Sequence, residues 1–314
     1  MGQGTSSARL PLTYIILLNW NQGDLTLACL DSLAKISYAN TRIMLVDNGS
    51  TDDSLDRIRA QFPGIEIIEN RENLGYSPAN NRGIEQALAH GAEYVLLLNN
   101  DTVVAPDFLE PLIETAESSP DIGVVSSKIY YFDEPKRIWY GGGYIDWKTG
   151  LTAHLQVGKI DPDEQDIEIE EVSFVSACAM CIRRSVLETV GLLDERFFIY
   201  YDDTDWCARI TRAGFRCIYV PQSKIWHKVS ALMGATSPKT AYYVARNEIL
   251  FLKKNSPGFR KFWLPWRAIG RQVLTIIRYS LQSQDQSLKC NRAAILVGMR
   301  DALRGRFGKL SIQL

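Results

Sequence analysis

The stretch Tyr94-Val95-Leu96-Leu97-Leu98-Asn99-Asn100-Asp101 decides the fold class of this chain. Its continuous apolar part predicts a strand that is covered on both faces, as in a parallel sheet. The run then stops in two amides and a carboxylate, and ligands of open α/β sheets bind just beyond the carboxyl ends of strands. Asp101 is therefore expected at a ligand site. A plain turn is the alternative, because Asn and Asp also favour turns.

Two earlier apolar runs end in the same way. The runs at residues 14–18 and 43–46 stop at Asn19 and Asp47. Apolar residues at helical spacing follow each run, and a short strand and a further helix lead to the next one. This alternation predicts an α/β fold with a mostly parallel, doubly wound sheet and right-handed crossovers. One edge of that sheet should carry Asn19, Asp47 and Asp101.

Six stretches of the chain, in this order, resemble the glycosyltransferase family 2 enzymes of the GT-A fold. Within that family they resemble the rhamnosyltransferase-like branch that builds bacterial surface polysaccharides. The stretches are residues 15–21, 46–52, 73–83, 99–101, 141–143 and 200–206. The resemblance implies an inverting, metal-dependent enzyme. Such an enzyme moves a sugar, rhamnose in this branch, from a nucleoside-diphosphate donor to a hydroxyl of a glycan or lipid-linked saccharide.

The resemblance also implies a metal site. Asp101 matches the last aspartate of the family's Asp-x-Asp motif, whose first position here is the neutral Asn99. A divalent cation at this place stabilises charge on the departing diphosphate. His227 matches a family histidine that reaches the metal, although a histidine satisfied by hydrogen bonds beside Trp226 is the alternative. The cofactor is Mn²⁺ or Mg²⁺, and an imidazole ligand favours Mn²⁺.

Further residues are expected to bind the donor. Asp47 resembles the carboxylate that reads the base, and an ionised carboxylate suits the imide N–H of uracil or thymine. A turn or capping aspartate is the alternative. Arg82 presents a fork that suits phosphate, or it is a solvated helix arginine. The remaining donor-binding candidates are Asn19, Asn21, Asn80, Asn99 and Asn100.

The acceptor side needs a base that takes the proton from the attacking hydroxyl. Asp203 matches the second acidic residue of the family's acidic pair, which holds that position. Asp202 and Asp205 are weaker acceptor-side candidates, and so is Trp139, whose flat ring suits the C–H face of a sugar. Close carboxylates repel, so a raised pKa on one of them would improve a base. Alternatively, these aspartates serve the N-terminus of a helix that begins at Thr204.

The composition suits one large α/β domain with a C-terminal extension, since 46% of the 314 residues are hydrophobic. We predict a disordered tail at 1–11, donor and acceptor halves at 12–128 and 129–255, and a helical tail at 256–314. No signal peptide is visible, and no run of eighteen apolar residues exists. These features predict a cytoplasmic enzyme that lies peripherally on the inner face of the cell membrane. The six cysteines are scattered, and Cys178 and Cys181 are expected as buried thiols rather than as a metal site.

Charge is divided unevenly along the chain. Residues 1–250 contain 22 Lys and Arg and 34 Asp and Glu, whereas residues 251–314 contain 13 and 2. Beyond Pro265 we predict a helix with an apolar stripe at spacings of three and four, flanked by arginines. It should lie in the interface of an anionic membrane, unless it packs on its own domain. We expect no nucleic-acid partner, because no recognised binding motif accompanies the basic residues. The stripe is Trp266, Ile269, Val273, Ile276, Ile277 and Ser280, and the flank is Arg267, Arg271 and Arg278.

Two other function classes stay open at this point. A sugar-nucleotide nucleotidyltransferase also uses a doubly wound sheet, but residues 19–23 lack its glycine-rich loop with a basic residue. A catalytically inactive scaffold for polysaccharide assembly would suit Asn99. The intact Asp101, Asp203 and His227 argue against that scaffold.

Overall fold

The computed structural model describes residues 9–161, 168–229, 237–281 and 286–310. The donor half, in chain order, consists of β1 (Thr13–Asn19), α1 (Gly23–Leu33), β2 (Thr41–Asp47), α2 (Ser54–Gln61), β3 (Glu66–Glu69), α3 (Tyr76–Ala89), β4 (Tyr94–Asn99), β5 (Thr102–Val104) and α4 (Leu109–Glu117). Strands and helices alternate from β1 to β4 as predicted.

The second half adds more strands and then helices. Its strands are β6 (Ile122–Tyr131), β7 (Ile138–Tyr140), β8 (Gly143–Asp146), β9 (Leu151–His154), β10 (Glu170–Val172), β11 (Ala179–Arg183) and β12 (Arg216–His227). Its helices are α5 (Arg184–Val190), a 3₁₀ turn at Glu195–Phe197, α6 (Asp202–Arg212), α7 (Pro238–Asn255), α8 (Arg260–Leu281) and α9 (Gln286–Leu303).

A ten-stranded sheet forms the centre, with the strand order β10-β12-β6-β11-β4-β1-β2-β3 and with β5 and β7 paired to β12 and β6. The neighbours β4, β1, β2 and β3 are parallel, which confirms the predicted β-α units. β11 lies antiparallel between β4 and β6, so the acceptor half is mixed. A separate two-stranded sheet consists of β8 and β9.

Successive side chains of the central strands point to opposite faces of the sheet, and both faces are covered by apolar clusters. Ile16 and Leu97 face one apolar cluster, and Ile15 and Leu96 face the other. All four side chains are completely buried. A strand with apolar residues at every position suits this environment, because neither of its faces meets water.

The three C-terminal helices share the core of the catalytic domain. Leu264, Ala268 and Met299 belong to the same apolar cluster as Ile16 on β1. The predicted division near residue 255 therefore separates elements that pack together. Pro265 lies inside α8 rather than before it. It removes one hydrogen bond from the helix, and its ring is buried.

The chain ends differ in part from the prediction. Residues 1–8 of the predicted N-terminal tail lie outside the described residues. Arg9 pairs with Glu93 at 2.8 Å, and Tyr38 donates to the carbonyl of Pro11 at 2.9 Å, so residues 9–11 contact the domain. Among the described helices, none is long and apolar enough to span a bilayer.

Candidate active site

A cleft of about 1230 Å³ opens at the carboxyl ends of β1 and β4. Residues from both halves of the chain line it, and the C-terminal helices supply part of its rim. Its lining includes Trp20, Asn48, Asn73, Asn99, Asn100, Asp101, Trp139, His154, Cys178, Asp202, Asp203, Lys239 and Lys309. The sheet edge predicted from the strand ends is therefore the floor of a cleft large enough for a nucleotide sugar.

Asp101 lines this cleft, and His227 contacts Asp101 without lining the cleft itself. Asp101 follows β4, and His227 ends β12 where that strand pairs with β5. His227 Nε2 lies 3.1 Å from Asp101 Oδ1, and both side chains are buried. Burial alone would lower the pKa of His227, but the neighbouring Cys178 and the Asp101 carboxylate raise it to about 10. Without a cation, these two side chains form an ion pair.

The ion pair leaves buried polar atoms unsatisfied. Among the residues described, His227 Nδ1 has no hydrogen-bond partner, and the 3.1 Å contact of Asp101 Oδ1 with His227 Nε2 lacks the geometry of a hydrogen bond. Such atoms are rare in folded proteins and call for a ligand or water. A carboxylate oxygen and an imidazole suit a divalent cation of the Mn²⁺ type. The described ranges hold no cluster of three or more His, Cys, Asp or Glu side chains that could bind a metal. Diphosphate oxygens or water would supply the other ligands.

The two amides before Asp101 also face the cleft. Asn100 is buried and donates to Thr26 Oγ1 at 2.8 Å. The backbone N–H of Asn99 donates to the carbonyl of Cys178 at 3.0 Å, which joins the end of β4 to the segment before β11. The segment 99–101 is thus held in place by both halves of the domain.

Asp47 does not line the cleft. Its Oδ1 accepts from Asn19 Nδ2 at 2.9 Å and from Ser50 Oγ at 2.6 Å, and its Oδ2 accepts from Ser50 N at 3.0 Å. This is the turn role that the sequence left open. Asn21 accepts from the backbone of Thr51 at 2.7 Å and is exposed. Asn48 and Trp20, next in sequence to Asp47 and Asn19, line the cleft instead.

Two other donor-side candidates point elsewhere. Asn80 donates to the carbonyl of Tyr76 at 3.0 Å within α3, and the exposed Arg82 donates to Asn70. Neither residue lines the cleft. Arg82 lies on the solvent-exposed side of its helix, which was the alternative to a phosphate contact. From the same stretch, Asn73 and Tyr76 do line the cleft. They precede or begin α3, where the chain passes the sheet edge.

The aspartates that begin α6 occupy different environments. Asp203 lines the cleft, and its carboxylate accepts from the N–H groups of Ala177 at 3.2 Å and Thr204 at 2.6 Å. Asp202 is buried beside it. Burial and the carboxylate of Asp203 raise the pKa of Asp202 to about 8. The predicted raised pKa thus belongs to Asp202, which is largely protonated at neutral pH.

Asp205 is a structural residue in this geometry, and α6 begins at Asp202 rather than at Thr204. The fully buried Asp205 accepts from Arg209 at 3.0 Å, Lys254 at 2.8 Å and Asn255 at 2.7 Å. These contacts tie α6 to the end of α7. They correct the expectation that Asp205 lies on the acceptor side, because its carboxylate faces away from the cleft lining.

A strained loop leads into α6. Phe198, Tyr200 and Tyr201 have φ angles of 64°, 67° and 65°, a region that side-chain-bearing residues seldom occupy. The side-chain amide of Asn247 on α7 lies 2.8, 2.8 and 2.9 Å from carbonyl oxygens of residues 197, 199 and 200. The C-terminal helices therefore hold the backbone that positions Asp202 and Asp203.

The family model for glycosyl transferase family 2 matches residues 14–191, which is more than half of the chain. The chain belongs to glycosyltransferase family 2. The matched region runs from the second residue of β1 through α5 and contains nearly all of the donor half.

Curated relatives of this family 2 glycosyltransferase include two rhamnosyltransferases. An N-acetylglucosaminyl-diphospho-decaprenol L-rhamnosyltransferase of Mycobacterium tuberculosis is 27% identical over 286 residues, which cover 82% of this chain and 91% of the relative. The dTDP-rhamnosyl transferase RfbF of Shigella flexneri is 27% identical over 253 residues, which cover 77% of this chain and 80% of the relative.

Solved structures confirm the GT-A fold of the enzyme. A mannosyltransferase of Pyrobaculum calidifontis in complex with GDP-Man and Mn²⁺ matches with a TM-score of 0.58 at 15% identity, covering 95% of this chain and 89% of that one. GalNAc-T7 with UDP, GalNAc and Mn²⁺ matches with a TM-score of 0.59 at 18% identity, covering 87% and 58%.

The family 2 enzyme also has cleft residues that sequence reasoning missed. Trp139 was predicted there, and its ring stands edge-on to His227 at a centroid distance of 4.7 Å. His154 and Cys178 were not predicted, although both line the cleft. Cys178 and Cys181 are free, buried thiols as expected. The only sequence signal for His154 was its place shortly after the glycines at 141–143.

Proposed function

We propose that this enzyme transfers rhamnose from dTDP-rhamnose, with inversion, to a hydroxyl of a glycan or lipid-linked saccharide. The observation that carries the proposal is that Asp101 and Asp203 line one cleft and that His227 contacts Asp101 at 3.1 Å. The names of the two bacterial relatives support rhamnose as the sugar and dTDP as its carrier. The name of the mycobacterial relative also supports a lipid-linked acceptor.

Asp101 and His227 would hold a divalent cation against the donor diphosphate. Their unsatisfied buried atoms support this site, as do the Mn²⁺ ions in the two similar structures. When bound, the cation stabilises negative charge on the departing diphosphate. Asn99 and Asn100 form the neighbouring wall and would contact the donor. The dTDP in the name of the Shigella relative supports a thymine base.

Asp203 would take the proton from the acceptor hydroxyl as that oxygen attacks the anomeric carbon. The two N–H groups that it accepts from fix the direction of its carboxylate. Asp202 is largely protonated beside it, so the pair does not place two full charges in one small volume. Trp139 also lines the cleft and would support the acceptor sugar.

We also propose that the outer face of α8 lies in the interface of an anionic membrane. Leu264, Ala268 and Gln272 bury the inner face, so the alternative of packing on the domain holds for that side. Exposed apolar residues separated mostly by three, four or seven positions lie along the outer face, and one of them, Phe259, directly precedes the helix. They are Phe259, Phe262, Trp263, Trp266, Val273, Leu274, Ile277 and Leu281.

This outer face differs from the predicted stripe. Ile269 and Ile276 pack against the core, and Arg271 donates to Glu248 at 2.6 Å and to the carbonyl of Thr149 at 2.9 Å. The contact with Thr149 joins α8 to the turn between β8 and β9, and β9 lines the cleft. The excess of basic residues beyond residue 250 supports attraction to anionic lipid. A peripheral position on the cytoplasmic face of the membrane follows from this proposal.

A panel of nucleotide sugars tests the donor. The purified enzyme would be incubated with dTDP-rhamnose, UDP-glucose or GDP-mannose, each with Mn²⁺ or Mg²⁺, and released nucleoside diphosphate would be measured. We expect release from dTDP-rhamnose above the others, and a thermal shift with dTDP even without acceptor. Preferential release from another sugar nucleotide would refute the assignment of rhamnose.

A further inference from the structure

His154 faces the cleft and has no part in the mechanism above. It ends β9, and its ring is surrounded by three aromatic rings. The centroid distances are 5.0 Å to Trp139, 5.0 Å to Tyr140 and 5.9 Å to Phe174. Trp139 and Tyr140 stand nearly perpendicular to the imidazole, at 78° and 88°. This packing fixes the plane of the His154 ring.

The backbone explains how His154 reaches this position. Gly143 on β8 pairs with His154, and its carbonyl accepts from Ser173 N at 2.9 Å. A side chain on Gly143 would lie 2.4 Å from the carbonyl oxygen of Phe174. Only glycine allows this approach, so the glycine bends the hairpin onto the cleft wall. The same contact holds His154 in place before any substrate binds.

The ring nitrogens of His154 remain available to a ligand. Over the part of the chain that the structure describes, neither nitrogen has a hydrogen-bond partner, and the half-buried ring lines the cleft. Burial lowers the pKa of His154 below its usual value. The carboxylate of Asp203 raises this pKa and His227 lowers it further, so the overall shift is downward. The neutral ring offers one donor and one acceptor, which suits a sugar hydroxyl.

The surroundings of His154 place it at the centre of the reaction. Asp203 and His227 both influence it electrostatically, and Trp139 contacts both histidines. His154 lines the same cleft as the proposed base, and Trp139 links it to the proposed cation site. The sugar that is transferred must lie between the base and the cation site, because the acceptor oxygen and the diphosphate stand on opposite sides of its anomeric carbon.

We propose that His154 binds the transferred sugar by a hydrogen bond to one of its hydroxyls. The proposal rests on the proposed function, because it requires a nucleotide-sugar donor at Asp101 and His227. A histidine that served only to fill space could be replaced by phenylalanine without loss, since the aromatic cage would accept the ring.

The variant His154→Phe tests this contact, and His90→Phe is its matched control. His90 is exposed and contacts Tyr14 and Gln86, away from the cleft lining. Affinities for dTDP and dTDP-rhamnose would be measured by calorimetry with Mg²⁺. We expect His154→Phe to bind dTDP like the wild type and dTDP-rhamnose about tenfold more weakly, the loss of about one hydrogen bond. His90→Phe should change neither affinity.

Nuclear magnetic resonance gives an independent readout, because the chain contains three histidines. With Mg²⁺ present, dTDP-rhamnose should move the His154 ring signal more than dTDP does, and it should leave His90 unchanged. Equal dTDP-rhamnose affinity in His154→Phe and wild type, with an unmoved His154 signal, would overturn the inference. If wild-type protein bound dTDP-rhamnose no more tightly than dTDP, both the donor assignment and the His154 contact would be refuted.

Discussion

Asp202 and Asp203 are adjacent in the sequence, yet their carboxyl groups meet different surroundings. Two backbone N–H groups face Asp203, whereas Asp202 is buried and its pKa is raised to about 8. At neutral pH the proton therefore stays on Asp202. Asp203 is left as the proton acceptor at the cleft, which gives each residue a separate test.

Asp203→Asn should lower turnover by about 10²–10⁴-fold and leave donor affinity nearly unchanged, because it removes the base and no donor contact. Steady-state kinetics and calorimetry with dTDP measure the two quantities. Asp205→Asn is the control. It should lower stability more than turnover, since Asp205 is buried among Arg209, Lys254 and Asn255. Near-normal turnover of Asp203→Asn would remove Asp203 from the mechanism.

Asp202→Asn should stabilise the protein more at pH 8 than at pH 5. In the unfolded chain Asp202 ionises near pH 4, but in the folded protein it keeps its proton until about pH 8. The wild type therefore loses stability as pH rises between these values, and the neutral amide does not. Urea unfolding of both proteins at the two pH values measures the difference. An advantage that is constant or larger at pH 5 would contradict the raised pKa.

Which residues matter at the site could be predicted only in part from the sequence. Asp101, Asp203 and His227 stand in recognisable stretches and do reach one region. Arg82 and Asn80 stand in such a stretch as well, but the rotation of α3 turns them from the cleft. The position of His154 in the cleft could not be predicted from the sequence, because it depends on the β8–β9 hairpin and on packing against three aromatic rings.

At the scale of elements, the loop before α6 depends on α7. Asn247→Ala would remove the amide donor of the carbonyl oxygens of residues 199 and 200, whereas the carbonyl of Phe197 would keep Arg246. Three positive φ angles in this loop already carry strain. We expect a loss of about 1–3 kcal/mol in unfolding free energy, together with reduced turnover, because Asp203 follows the loop.

Thermal unfolding and kinetics check this expectation against Asn40→Ala. Asn40 makes one hydrogen bond at an exposed site, to the carbonyl of Leu10, so its loss should change stability by less than about 0.5 kcal/mol. If Asn247→Ala were as stable and as active as Asn40→Ala, α7 would have no part in holding the loop.

The elements of the donor half were predictable because each has a local signature. β1, β2 and β4 are apolar at successive positions and end in polar residues, which is typical of buried parallel strands. β11 has a similar apolar run, but nothing in its sequence shows that it enters the sheet antiparallel. Tertiary packing also decides the start of α8, since the ring of Pro265 is buried inside the helix.

At the scale of the whole molecule, α8 presents its inner face to the core and its outer face to solvent. The double variant Trp266→Glu with Leu274→Glu changes residues that are 65% and 67% exposed, so folding should be unaffected. We expect it to lose most binding to vesicles of phosphatidylglycerol and phosphatidylcholine, because it removes apolar contact and adds negative charge. Co-sedimentation at low and high salt measures this binding.

The control is Leu10→Glu with Ile169→Glu, which changes exposed apolar residues outside α8. It adds the same charge and should still bind the vesicles, and salt should weaken that binding. Equal binding by the two double variants, or wild-type protein that ignores anionic vesicles, would contradict a membrane-facing α8. Point variants are required because α8 and α9 contribute to the common core.

We infer that a cation at Asp101 and His227 holds the donor diphosphate. Calorimetric titration of dTDP, with Mn²⁺ and with chelator, tests it in the wild type, in Asp101→Ala and in the exposed control Asp107→Ala. We predict that Mn²⁺ strengthens dTDP binding about tenfold or more in the wild type and in Asp107→Ala, and has little effect in Asp101→Ala. A dTDP affinity that is the same with Mn²⁺ and with chelator, and that is unchanged in Asp101→Ala, would contradict a cation site at Asp101 and His227.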